Sequence, residues 1–307
     1  MDGEGPDVED ETLLDRHKEA MDSRVQRASQ WVDSFFNDPD YEAEVATTQI
    51  RIRPELYYRK EQHLKPRLRA SVKLSLPNLG HRVSLFAGNG PREDDRDEGN
   101  DDTREKSVIG LQFFGKELKN WHFSFTTGLK FNSTAFFTGP RLRYTNDLSE
   151  KDSYRFTQEL LWQTDNKWHV RSRLDFNHIF NDQYLFRQTV DGLWRQERRN
   201  KEGYRTRVSS FLTQRLDERA GLQYEFTTIL HQQPHNHVDR YTLALRFRRQ
   251  TARDWLYYEI VPEIAWEDQY NFKANPGIHL RLEIFYGTPS EYDRSIDDTE
   301  EDDEFRW

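Results

Sequence analysis

The sequence predicts an all-β fold: a single closed antiparallel transmembrane β-barrel of about 14 strands, or 12 if a weak segment such as Arg82–Ala87 stays unpaired, preceded by an amphipathic helix. Three observations lead there. From about Thr48 to Tyr286, apolar and polar residues alternate with a period of two, which sends them to opposite faces of an extended chain. The alternating segments supply the ~9–11 tilted residues needed to cross a bilayer. The polar face is dominated by Arg. A soluble sandwich would instead bury its apolar face in one core about 10 Å thick and mix charge signs outside.

Composition narrows the choice. The 307 residues are 35% hydrophobic and 32% charged, and mean hydropathy is -1.02. Such polarity suggests disorder, but disordered chains are poor in aromatics, and here aromatics reach 14%. A barrel with a water-facing half explains both. There is no Cys, which excludes disulfide scaffolds, thiolate metal sites and Cys nucleophiles. No run approaches the ~20 apolar residues of a membrane helix. The net charge of -9 argues against a general nucleic-acid partner.

Residues 1–43 form the first unit. The opening MDGEGPDVEDE is acidic and has neither the basic nor the apolar region of a signal peptide. Met21, Val25, Ala28, Val32 and Phe35 then recur at helical spacing, with Arg24, Gln26, Arg27 and Gln30 off the stripe. Asn37-Asp38-Pro39 stops that helix. It either packs on the main domain, plugs it or holds a partner.

Residues 44–287 form the barrel. In Thr48–Lys60, Ile50, Ile52, Leu56 and Tyr58 alternate with Arg51, Arg53, Glu55 and Arg59. Leu64–Leu76, Trp121–Phe131, Trp168–Phe180, Leu222–Leu230, Tyr241–Phe247 and Ile278–Tyr286 repeat the pattern. Turns fall between them, at Asn146–Asp152, Asn181-Asp182, Leu216–Arg219 and Gln250–Asp254 among others, and a longer acidic loop spans Asn89–Lys106. Tyr57, Tyr58, Trp121, Tyr144, Trp162, Trp168, Trp194, Trp255 and Trp266 gather towards strand ends, as interfacial girdles do. Pro54, Pro66, Pro140 and Pro262 sit within strand patterns and mark bulges or strand ends. Residues 288–307 are an acidic, solvated tail.

The segment Asn275–Tyr286, with Gly277 followed by Leu280, Leu282, Ile284 and the aromatic Tyr286, resembles the closing β-strand signal of Gram-negative outer-membrane barrels. In this chain 20 residues, 288–307, follow it. The segments RIRPELYYR, RASVKLSLPN, VDRYTLALRFR and DWLYYEIVPEIAW resemble an uncharacterised outer-membrane family of gammaproteobacteria, over most of residues 25–287. The resemblance implies a bacterial outer-membrane location, a signal peptide absent from this sequence, and two partners: outer-membrane lipid and the barrel assembly machinery. It implies no activity.

The strongest functional clue is a set of Arg-x-Arg pairs: Arg51/Arg53, Arg67/Arg69, Arg141/Arg143, Arg171/Arg173, Arg205/Arg207 and Arg246/Arg248. Each pair puts two guanidinium groups on one strand face, ~7 Å apart. Guanidinium binds carboxylate and phosphate bidentately, so a lumen lined this way favours small anionic solutes. Some acidic-sugar channels of the outer membrane carry similar tracks. The other reading is an Arg–Glu network, using Glu55, Glu159, Asp175, Glu225, Glu259, Glu263 and Glu283, that braces a closed lumen.

Other chemistry is weaker. His231, His235 and His237 lie in LHQQPHNHVD, with spacing that suits Zn²⁺ or Cu²⁺ but no obvious carboxylate partner, so no metal or other cofactor is expected. His122, His178 and His279 read as structural. Ser209, Ser210 and His231 lie on successive strands, but there is no GxSxG, HExxH or P-loop. The expectation is a porin-like channel and not an enzyme. The alternatives are a non-conducting barrel whose helix docks a periplasmic partner, and a membrane-embedded hydrolase.

Overall fold

The computed structural model describes residues 24–36, 48–76, 83–89, 107–115, 120–131, 133–201 and 203–287. The acidic opening, Met21, the Asn37-Asp38-Pro39 stop, most of the 89–106 loop and the acidic tail lie outside them. Among the described residues one α-helix, α1 (Arg24–Phe35), precedes fourteen strands. These are β1 (Gln49–Arg59), β2 (Gln62–Ser75), β3 (Val83–Asn89), β4 (Ser107–Phe114), β5 (Trp121–Lys130), β6 (Ala135–Asp147) and β7 (Asp152–Gln163). They continue as β8 (Lys167–Asn181), β9 (Tyr184–Arg195), β10 (Tyr204–Asp217), β11 (Ala220–His231), β12 (His237–Gln250), β13 (Leu256–Glu267) and β14 (Ala274–Gly287). Each pairs antiparallel with its sequence neighbours, and β14 pairs with β1 to close the ring. The weak segment is β3, paired on both sides, so the count is 14 and not 12.

The apolar face points outward. On β14, Leu280, Leu282 and Tyr286 are exposed while His279, Arg281 and Glu283 between them are buried. On β1, Ile50, Leu56 and Tyr58 are exposed while Arg51, Glu55 and Arg59 are buried. This inverts a soluble protein: the fold presents an apolar outer belt and a polar interior, as a transmembrane barrel does. Tyr57 departs from the expected girdle. It points into the lumen, where its hydroxyl donates to Glu263 Oε1 at 3.0 Å.

The prolines mark gaps in the ladders and not bulges. The β1–β14 register skips from Ile52↔Ile284 to Glu55↔Arg281, spanning Pro54. The β6–β7 register skips from Thr138 to Arg141, spanning Pro140. The β12–β13 register skips from Ala244↔Glu263 to Phe247↔Ile260, spanning Pro262. Pro66 pairs with Leu56 on β1, and the β2–β3 register covers only Ser71–Ser75, so no described ladder needs its missing N–H on that side. A residue without an N–H sits where a rung is dispensable.

Fourteen strands about 4.8 Å apart and tilted about 40° close a ring about 28 Å across at the backbone. Side chains alone fill an eight-stranded barrel but not one this wide. Part of the bore is taken by α1, because a helix with its side chains is about 10–12 Å wide. The connections 148–151, 182–183 and 218–219 lie at the end where β1 begins and β14 stops. At the opposite end the longer spans of sequence, 90–106 and 196–203, separate the end of β3 from the start of β4 and the end of β9 from the start of β10. By the rule that short turns lie inside and longer loops outside, the first end is the inner one. The helix sits at that inner end.

Candidate functional site

The lumen is built in rungs, because residues paired across antiparallel strands share a face. One rung runs Arg141, Glu159, Arg171, Leu193, Arg205 and His231 across β6 to β11. The next, towards the inner end, runs Arg143, Thr157, Arg173, Asp191, Arg207 and Ile229, then reaches Arg240 on β12. From β6 to β11 these two rungs hold six arginines, Arg141, Arg143, Arg171, Arg173, Arg205 and Arg207, against the two carboxylates Glu159 and Asp191, while Arg240 on β12 pairs in register with Glu267 at 3.6 Å. Asp191 accepts from Arg171 Nε at 2.8 Å, and Arg173 Nε donates to Asp175 Oδ1 at 3.0 Å.

The opposite wall is closer to balance. Glu55 lies 3.0 Å from Arg281 and 3.7 Å from Arg69. Glu259 lies 3.0 Å from Arg281, 3.5 Å from Arg248 and 3.8 Å from Arg246. Glu283 holds Arg51 at 3.1 Å and Arg248 at 3.2 Å. Arg59 reaches past β14 to Glu263 at 2.6 Å and Glu267 at 3.0 Å on β13. It can do so because Gly277 stands between them in register. A Cβ there would lie 2.7 Å from the Tyr58 carbonyl oxygen, 3.2 Å from Glu263 Oε1 and 3.3 Å from Arg59 Cγ. The glycine of the closing-strand motif therefore clears the path of an ion pair. These pairs join neighbouring or next-neighbouring strands, so they lie along the wall.

All twelve arginines of the six expected pairs take lumen-side positions. Arg51, Arg141, Arg173, Arg207 and Arg248 are buried, and Arg53, Arg67, Arg69, Arg143, Arg171, Arg205 and Arg246 are half-buried. The structure divides them between two walls: the Arg141 to Arg207 set is in carboxylate deficit, and the Arg51 and Arg248 set is braced. Lone arginines outside the pair motif join both walls: Arg59, Arg155, Arg187, Arg240 and Arg281. Their only signal was parity, since each falls on the polar face of its strand. Asp191 and Glu267 were missed as counter-ions and could have been found the same way.

The helix fixes the inner half of the site. Val25, Ala28, Val32 and Phe36 pack on Ile179 and Leu185. Phe36 lies over Gly221, where a Cβ would come within 2.9 Å of its ring. On the same face Asp33 is 1% exposed and takes Arg155 Nη1 at 2.8 Å and the Nη1 of Arg187. Ser29 Oγ accepts from Arg187 Nη2 at 2.6 Å. Arg215 stacks over Trp31 at 5.2 Å and Arg248 over Phe35 at 5.9 Å. A carboxylate beside Val32 on an apolar stripe was the readable sign that the helix meets buried cations.

At the outer turn 164–166, burial pushes the Asp165 carboxyl up. The Ser133 hydroxyl at 2.8 Å and the Lys130 ammonium at 3.6 Å outweigh it and hold the group below its ordinary value. Ser209, Ser210 and His231 are not brought together. Ser209 shares a hydrogen bond with Thr227 at 2.8 Å, Ser210 donates to Gln188 at 2.7 Å, and His231 pairs in register with Arg205.

The chain is similar to several solved outer-membrane proteins. OmpT of Vibrio cholerae, as a loop L8 deletion mutant, is 10% identical with a TM-score of 0.47, covering 78% of this chain and 98% of its own. The outer-membrane channel DcaP of Acinetobacter baumannii is 8% identical with a TM-score of 0.46, covering 78% and 97%. The KdgM porin in complex with disordered oligogalacturonate is 8% identical with a TM-score of 0.39, covering 77% and 98%. No family model and no curated protein matches the chain.

Proposed function

We propose that the protein is a porin-like channel of the bacterial outer membrane that passes small anionic solutes along the β6–β10 wall, with α1 narrowing its inner mouth. The observation that carries this reading is the arginine excess of the two rungs outward of the helix, centred on Arg141/Arg171/Arg205 and Arg143/Arg173/Arg207. Guanidinium groups exceed carboxylates there, so a diffusing anion meets net positive charge in a confined, low-dielectric passage. The outward apolar belt supports the lipid environment. The outward row Leu280, Leu282, Ile284 and Tyr286 on β14, with Gly277, supports recognition by the barrel assembly machinery. From the segments quoted above we also infer kinship with the uncharacterised gammaproteobacterial family, and a three-part division at residues 43/44 and 287/288.

A second reading has its own observation. The ion pairs of β1 and β12–β14, with the helix docked by Asp33, describe a braced, non-conducting barrel. Planar-bilayer conductance with a salt gradient separates the two. Full-length protein and a variant lacking residues 1–43 are compared, and the second is expected to conduct more. Both reversal potentials should show anion preference. Arg171→Gln with Arg173→Gln should shift selectivity towards cations, because two positive charges leave the wall and Asp191 and Asp175 stay. Silence of both proteins would leave the braced barrel and a helix-bound partner as the answer, and conductance with cation preference would overturn the anion reading.

A further inference from the structure

The β11–β12 hairpin carries a second constellation at the outer end of the barrel. His231 and His237 face each other directly across the hairpin, with ring centroids 5.8 Å apart. The register then slips: Leu230 pairs with Val238 but Ile229 pairs with Arg240. Asp239 is thus the extra residue of a β-bulge, a device that re-aims a side chain. Its carboxylate Oδ1 lies 4.0 Å from His231 Nδ1. This is the acidic partner that the histidine run lacked in the sequence, where the bulge is invisible.

We propose that His231, His237 and Asp239 form a binding site for a divalent transition metal of the zinc class. One ligand-capable atom from each residue lies within 4.8 Å of the others, and among the described residues no other group of three meets that condition. Zinc at ~2.0–2.1 Å from tetrahedral ligands sets those atoms about 3.4 Å apart. Small side-chain rotations close the difference, and all three residues are half-buried at the rim, with room to make them.

The tautomer is already set at one ligand. His237 Nδ1 lies 2.8 Å from the His235 carbonyl oxygen. Only an N–H can donate to a carbonyl, so Nε2 keeps its lone pair for a metal. Metal-binding histidines usually have their other ring nitrogen held in this way. The donor set also speaks to the ion. Two imidazoles and one carboxylate suit zinc, copper or nickel, whereas magnesium and calcium prefer oxygen alone. Three protein ligands leave a fourth position for water, and the His235 ring, its centroid 5.5 Å from that of His237, stands outside the set.

The test is calorimetric titration of the full-length, detergent-folded protein with zinc chloride in excess magnesium. One zinc per chain is expected. His231→Ala and His237→Ala should each weaken binding by about tenfold or more, as should the near-isosteric Asp239→Asn, which leaves the hairpin's packing intact. His235→Ala should change it by less than about threefold on the same scale. Far-ultraviolet circular dichroism checks that every variant keeps its strands. If a folded H231A/H237A double variant binds zinc like the wild type, or the wild type takes up none, the proposal is overturned.

Discussion

Substituting Asp33 tests how the helix is held. The carboxylate is buried between Arg155 and Arg187, whose side chains are 9% and 5% exposed. Removing one partner of a buried ion pair costs about 3–5 kcal/mol, because the other charge stays buried. Here both guanidiniums keep something. Arg155 retains Asp175 at 3.3 Å, and Arg187 retains Asn177 at 2.7 Å and Ser29 at 2.6 Å. The lower bound of about 3 kcal/mol is therefore the better expectation for Asp33→Ala. The barrel strands do not depend on the pair, so the loss falls on docking of the helix. At 1.4 kcal/mol per factor of ten, undocking becomes about 100-fold more populated. Amide hydrogen exchange of residues 24–36 reads that population directly, since local opening governs exchange. Exchange there should accelerate by about two orders of magnitude while the β7–β10 amides stay unchanged. Equal protection of the helix in wild type and D33A would refute the claim that this ion pair anchors it.

Three further outcomes follow from the same geometry. Gly221→Val should free the helix without touching any charge, since even a Cβ there meets Phe36 at 2.9 Å and Phe35 at 3.0 Å; exchange of α1 is the readout. Glu259→Ala removes the carboxylate shared by Arg246, Arg248 and Arg281, of which Arg248 keeps Glu283 and Arg281 keeps Glu55, and should lower barrel stability by about 3 kcal/mol in urea titrations from lipid vesicles, with Glu259→Gln milder. Leu243→Arg places a charge mid-strand on the exposed face and should cost about 2–4 kcal/mol in the same assay, whereas a negligible effect would mean that this face does not meet lipid.

What the sequence revealed, and what it hid, follows from the range of each interaction. Strand alternation is written locally: Leu280, Leu282 and Tyr286 are apolar because they face out, and His279, Arg281 and Glu283 are polar because they face in. That is why the strand count and the barrel class were readable. The partners were not, because pairing is long-range. Asp33 meets arginines 122 and 154 residues away, and Arg59 meets Glu263 204 residues away. No periodicity carries such distances. The bulge at Asp239 was hidden for a different reason: it is a failure of alternation with no Pro or Gly to announce it, whereas Pro54, Pro140 and Pro262 announced interruptions whose form, a ladder gap and not a bulge, only the pairing shows. Those departures cluster where the barrel does something beyond closing. The bulge gathers two histidines and a carboxylate, and the glycine at 277 opens a path for Arg59. The carboxylate on the apolar stripe of α1 turns a packing helix into a charged latch. The regular part of the pattern therefore specifies the wall, and its exceptions specify what the wall holds.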